Sequence, residues 1–198
     1  MEEVSRHQPH TTSDPGKTQM GTESIVVRSM HISDLPQVLD IERRSFSSPW
    51  SERAFKRELE GNRYADYLVA DTGEQIVGYA GMWVFGYETH VTNIAVEPDL
   101  RRQGIGAQLL LGLMRRASSR NIIRMTLEVR VSNSQAKQFY DKYGFEARGM
   151  RTNYYSDTNE DAVIMTCDDV GSVLKEKDRS AVEGDFNEQS GVGNRNLL

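Results

Sequence analysis

Apolar positions along the chain change period several times, and each change predicts an element. Ile25 to Met30 is a short β-branched run expected to form the first strand. Ser33 then reads as an N-cap with Pro36 inside the first turn, and Leu35, Val38, Leu39 and Ile41 continue as an amphipathic helix. After the loop FSSPW, Phe46 to Trp50, Ser51 is placed to cap a second helix running to about Glu60. Tyr67 to Ala70 and Gln75 to Val84 flank the turn Asp71-Thr72-Gly73-Glu74 as a hairpin, and Tyr87 to Val96 supplies another strand. Three strands in succession joined by turns imply an antiparallel sheet.

From Gly104 the period changes to that of a helix, with Ile105, Leu109, Leu113 and Ala117 on one face. Arg124 to Val129 is the next strand, so strand, helix and strand form a βαβ unit with parallel strands. Asn133 to Tyr143 is a shorter helix, ended by Gly144 in the left-handed position before Phe145 starts a return strand. Residues 151–161, RTNYYSDTNED, read as a polar loop, and Ala162 to Thr166 closes the sheet. The expected fold class is α/β, with a mixed sheet.

The two ends lack such periods. Residues 1–22 are polar and read as a flexible leader; residues 169–198 read as a disordered polar tail with one helical turn near Val173 to Lys177. Residues 23–168 are left as one domain.

The net charge of -5 argues against broad nucleic-acid affinity, which needs a basic face. Cationic amines and basic peptides are better tolerated. No apolar run approaches the roughly 20 residues that cross a bilayer, and the leader has no signal-peptide core. Cys167 is the only cysteine, so an intrachain disulfide is excluded and a reducing cytoplasm fits. His7, His10 and His31 form no spaced ligand set, so no metal site is expected.

Chemistry enters with Asn93 to Leu110, NIAVEPDLRRQGIGAQLL: strand, Pro98 turn, glycine loop and helix. Free amides in a helix's first turn, with the positive end of its dipole, favour phosphate, and Arg101 and Arg102 add charge there. Ordinary chain punctuation is the competing reading. A P-loop is excluded because GxxxxGK[ST] is missing, and GxGxxG fails because Ala107, Gln108 and Leu109 follow Gly106. The pattern that fits is [Q/R]-x-x-G-x-[G/A], filled by Arg101, Gly104 and Gly106.

That loop, preceded by NIAVEP and followed in order by LEVRVSNSQAKQFYDKYGF and RTNYYSDTNEDAVIM, resembles the RimI branch of the GNAT N-acetyltransferases. FSSPW is similar to the same branch's aromatic-Pro-Trp loop. The resemblance implies a GNAT fold whose central parallel strands splay apart, acetyl-CoA as acetyl donor, and a protein N-terminus as acceptor, the alanine terminus of a small-subunit ribosomal protein. It implies that the backbone of Ile94, Ala95 and Val96 binds the pantetheine arm and that the amides of Arg102, Gln103, Gly104, Ile105, Gly106 and Ala107 hold the pyrophosphate. Asn133 matches a cofactor-contacting asparagine, a role compatible with its ordinary reading as a helix N-cap. Glu128 matches the general base, acting directly or through water, and Tyr140 the general acid toward the departing thiolate.

Some assignments stay open on the residues alone. Tyr140, between Phe139 and Tyr143, reads as packing without the resemblance. Tyr154 and Tyr155 either clamp a peptide backbone or stack as loop ballast. Glu88 and His90 precede the cofactor strand and are candidates to contact the amine or assist the base. Trp50 either closes a pocket or plugs the core.

A single carboxylate suits the expected acceptor. An α-amine with pKa about 7.7–8.0 costs only about 1.4 kcal/mol to neutralise near pH 7, against roughly 4.6 kcal/mol for a lysine. Base or acid assistance typically gives about 10²–10⁴-fold, while aligning the reactants can remove about 7–11 kcal/mol. Positioning should dominate.

Overall fold

The computed structural model describes residues 24–190, with side chains through Ala181. The expected leader, residues 1–22, lies outside the described residues.

The sheet is built from β1 (Val26–Ser29), β2 (Ala65–Asp71), β3 (Ile76–Phe85), β4 (Glu88–Val96), β5 (Arg124–Arg130), β6 (Glu146–Tyr155) and β7 (Glu160–Cys167). Its spatial order is β1-β2-β3-β4-β5-β7-β6. The first four strands are antiparallel neighbours, β4 and β5 are parallel, and β7 inserts between β5 and β6. The helices are α1 (Leu35–Ser45), α2 (Glu52–Lys56), α3 (Ile105–Ser118), α4 (Ser134–Asp141) and α5 (Val170–Ser190). This is the mixed α/β architecture the βαβ pattern predicts.

Alternation along the strands feeds two cores. Leu68, Val77, Met82, Met125 and Leu127 pack with Leu109, Leu113 and Met114 of α3 on one face. Tyr67, Val69, Tyr79 and Ala95 pack with Leu35, Val38, Ile41 and Phe55 on the other. Burying one such side chain stabilises by about 1.5–3 kcal/mol, so both faces contribute substantially.

Three local expectations change. The first helix is entered through a 3-10 turn, Ile32–Asp34, where the Asp34 carboxylate accepts the His31 N–H at 2.8 Å; Ser33 is not the cap. Of residues 151–161 only 156–159 form a turn, because β6 continues to Tyr155 and β7 begins at Glu160. The side chains of residues 151–155 belong to the edge strand β6, which water solvates on its open side.

The tail expected to be disordered from residue 169 begins instead as α5. Asp169 caps it by accepting the Ser172 N–H at 2.9 Å. Val170 and Leu174 are buried in the α3-side core, Val173 packs against it, and Arg115 reaches Asp178 at 2.7 Å. A short apolar stripe outweighs the polar average of the segment. Among the described residues no helix is long and apolar enough to cross a membrane.

Candidate active site

The parallel seam is short. β4 and β5 pair only at Glu88 with Arg124, Thr89 with Met125 and His90 with Thr126. Immediately beyond, the register of β4 against β3 slips: Gly81 pairs with Asn93 but Met82 with Val91, leaving Thr92 as an extra residue. The bulge reverses the alternation of β4, so Val91, Ile94 and Val96 share the α3 side while Ala95 turns to the other core. β4 then leaves β5, and the expected splay is present.

Gly81 makes room for the bulge. A Cβ there would lie 2.2 Å from the Tyr67 ring and 2.7 Å from Thr92 Oγ1.

A cleft of about 520 Å³ fills the gap, walled by Val91–Ile94, Leu127–Arg130, Tyr140, Tyr154, Tyr155 and the loop that carries Trp50. Leu127 and Val129 turn into the α3-side core, so Glu128, between them on β5, faces the opposite way with its side chain only 4% exposed. Glu128 Oε2 lies 2.9 Å from His90 Nε2, and Oε1 lies 3.2 Å from the Arg151 guanidinium.

Thr126 holds the imidazole of His90 on the side away from Glu128. The Thr126 hydroxyl lies 3.2 Å from His90 Nδ1 and 3.2 Å from the Thr89 carbonyl.

Tyr140 projects from α4 between Phe139 and Phe145, with ring centroids 5.1 and 5.6 Å away. Its hydroxyl makes no hydrogen bond among the described residues, and burial, with Tyr155 nearby, pushes its pKa well above the ordinary phenol value. Tyr154 and Tyr155 are neighbours on a strand, yet both line the cleft, because Asn153 adopts φ 51° and the β6–β7 register shifts there. The rings meet edge to face at 5.1 Å, Arg130 stacks 3.9 Å over Tyr155, and burial pushes the Tyr155 phenol up to about 12.

Trp50 lines the cleft and also packs on Phe55 at 5.5 Å, so both of its expected roles hold. Glu88 does not line the cleft and makes no side-chain hydrogen bond or ion pair among the described residues; it sits at the closed end of the seam.

At the other end of β4 the loop into α3 holds Arg102 at φ 65° and Gly104 at φ 85°. Among the described residues the backbone amides from Arg102 to Ala107 find no backbone acceptor; the first helical bond runs from Gln108 N to Gly104 O at 3.0 Å. These donors form a concave set suited to an anion. Asn133 caps α4, accepting the Ala136 N–H at 3.0 Å, and its side-chain NH2 is unengaged among the described residues.

Arg151 and Thr126 did not stand out in the sequence. Recognising them required the register of β6 against β7 and of β4 against β5, which no local pattern carries.

The geometry agrees with what relatives of this chain are described as. A 41% identical protein of Bacillus subtilis, matched over 70% of this chain and 92% of its own length, is described as a putative ribosomal protein bS18-alanine N-acetyltransferase. The ribosomal protein bS18-alanine N-acetyltransferase of Escherichia coli is 38% identical over 70% of this chain and 94% of its own length. A crystal structure of the ribosomal-protein-S18-alanine N-acetyltransferase from Escherichia coli superposes with a TM-score of 0.66 at 35% identity, covering 72% of this chain and 92% of that one. The profile of the Acetyltransferase (GNAT) family matches residues 35–145. With its parallel seam opened at a β4 bulge and unpaired amides at the head of α3, this chain belongs to the GNAT acetyltransferase family.

Proposed function

We propose that this enzyme transfers acetyl from acetyl-CoA to the N-terminal α-amine of a protein, with the alanine terminus of ribosomal protein bS18 as acceptor, by direct attack of the amine on the thioester. The observation that carries this reading is Glu128, a carboxylate held between His90 and Arg151 in the wall of the cleft. The acceptor identity is what the names of the relatives suggest.

The residues present suit the donor. The unpaired amides of Arg102 to Ala107 would hold the pyrophosphate, and the open edge of β4 at Ile94, Ala95 and Val96 would take the pantetheine arm as a strand is taken. The free side-chain NH2 of Asn133 lies where it would add a contact.

In the reaction the amine nitrogen bonds to the acetyl carbon and the carbon–sulfur bond breaks. Glu128 takes the proton the amine loses, directly or through water, with His90 as its positioning residue. Tyr140 donates a hydrogen bond to the departing sulfur. Its phenol is a weaker acid than a thiol of pKa about 8.5, so stabilising the thiolate fits it better than surrendering the proton. Tyr154 and Tyr155 flank the acceptor's backbone. Cys167, 1% exposed and outside the cleft, supports a route with no acyl-enzyme.

Incubation of the purified protein with acetyl-CoA and peptides differing in their first residue, followed by mass spectrometry, tests the reading. The expected product is an α-acetylated alanine peptide of the bS18 sequence. Acetylation confined to small amines, or of no peptide at all, would overturn it.

A further inference from the structure

Glu42 lies on α1 among Val38, Leu39 and Ile41 and is only 2% exposed. An isolated ionised carboxylate is costly to bury, and no lysine or arginine pairs with this one among the described residues. Burial accordingly pushes its pKa up.

What it does have is one donor for each carboxylate oxygen. Its Oε1 accepts the Trp50 N–H at 2.8 Å, and its Oε2 accepts the Tyr79 hydroxyl. Tyr79 in turn accepts from Asn93 Nδ2 at 3.1 Å, and Asn93 Oδ1 accepts from the Thr92 hydroxyl at 2.9 Å. With that proton committed, Thr92 accepts from the Tyr67 hydroxyl at 3.3 Å. The polarity runs from both tyrosines and the β4 bulge toward Glu42, which ends it.

The same residue holds both ends of one loop. The backbone carbonyl of Glu42 accepts the Phe46 N–H at 3.0 Å, and its side chain accepts the Trp50 N–H. Phe46, Ser47, Ser48 and Trp50 form the wall of the cleft on the α1 side, and Ser47 reaches across to Asp157 at the tip of the β6–β7 hairpin. The donor amides of Arg102 to Ala107 stand at the head of α3, on another element.

We propose that Glu42 is a positioning residue for the acceptor: by tying Trp50 back to α1 it fixes the loop Phe46–Pro49 as the wall against which the acceptor's first residues lie. This rests on the protein N-terminus reading above. Releasing the tether leaves the loop to be ordered by the acceptor itself, so the loss falls on acceptor binding and spares the donor.

Steady-state kinetics of Glu42→Ala and Glu42→Gln, with an alanine-initiated bS18 peptide and acetyl-CoA varied in turn, test this together with amide exchange at Trp50. Glu42→Ala is expected to raise the peptide KM about 10-fold or more, to leave the acetyl-CoA KM within about twofold, and to speed exchange at the Trp50 amide. Glu42→Gln keeps an acceptor for Trp50 and is expected to fold, to stay within about threefold of wild type and to keep that amide protected. An unchanged peptide KM in Glu42→Ala, an equal loss in Glu42→Gln, or a parallel rise in both KM values would overturn the inference. A wild-type protein that acetylates no peptide would instead overturn the proposed function, and this role with it.

Discussion

His90 Nε2 and Glu128 Oε2 meet at 2.9 Å just past the last paired step of the β4–β5 seam, where His90 pairs with Thr126. Beyond that step the strands part, so the contact marks where ladder hydrogen bonding gives way to open cleft. Thr126 fixes the far side of the imidazole, and Arg151 fixes the far side of the carboxylate.

The two residues should therefore behave as one unit. Glu128→Gln is expected to lower kcat/KM about 10²–10⁴-fold, and His90→Ala about 10-fold, with acetyl-CoA affinity unchanged. Added to Glu128→Gln, His90→Ala should cost little more, because the group it orients is gone. Losses that simply multiply in the double variant would show that the pair acts independently.

Gly106 separates ligand contact from folding. A Cβ there would meet Val96 at 3.8 Å and Phe139 at 3.9 Å, ordinary packing distances, and the residue sits in the first turn of α3. Gly106→Ala is expected to keep or slightly raise Tm, since alanine favours helix by up to about 1 kcal/mol. An acetyl-CoA Kd weakened about 10-fold or more, read by calorimetry, would then report the approach of the ligand's phosphates to the backbone. An unchanged Kd would remove this amide from the donor cradle.

Leu174 measures whether α5 belongs to the fold. It is 8% exposed and joins the α3-side core, so Leu174→Ala is expected to cost about 2–3 kcal/mol, near the low end for buried leucines. For a chain of this size that lowers Tm by roughly 4–12 °C in a thermal melt. A Tm within about 1 °C of wild type would return the segment to the solvated tail its composition suggested.

Asp157 gives a pH test. Arg130 grips it through two contacts of 2.8 Å, and with the Ser47 hydroxyl this lowers its pKa to about 2. A carboxylate depressed in the folded state contributes fully above its ordinary value of about 3.9 and loses that contribution as pH falls through the folded value. The Tm gap between wild type and Asp157→Asn should thus be steady near neutrality and close toward pH 2, as measured by melts in graded buffers. A gap that widens with acid would show that Asp157 is not held as an anion.

What was legible in the sequence was local. Pro98, Gly104 and the apolar face Ile105, Leu109 and Leu113 write the loop and α3 in adjacent residues. Glu128 and Tyr140 stood out through their resemblance to a known branch. Thr92 was invisible because a bulge exists only relative to the partner strand. Glu42 was invisible for a related reason: an acid followed by Arg43 and Arg44 reads as a solvated helix end, and only the packing of α1 turns it inward. The helix α5 was hidden by averaging, since Val170, Val173 and Leu174 are diluted by the charged residues around them.

The extra residue at Thr92 carries a consequence for how this family member can change. A strand one residue shorter at that point would stay in phase with β3, and Ile94, Ala95 and Val96 would exchange the faces they now present. The β4 wall of the cleft would then be remade with Glu128 and Tyr140 untouched. Acyl transfer here thus depends on a counting error kept in the chain, and substitutions that widen or shift it should retune which acceptors enter sooner than any change to the acid itself.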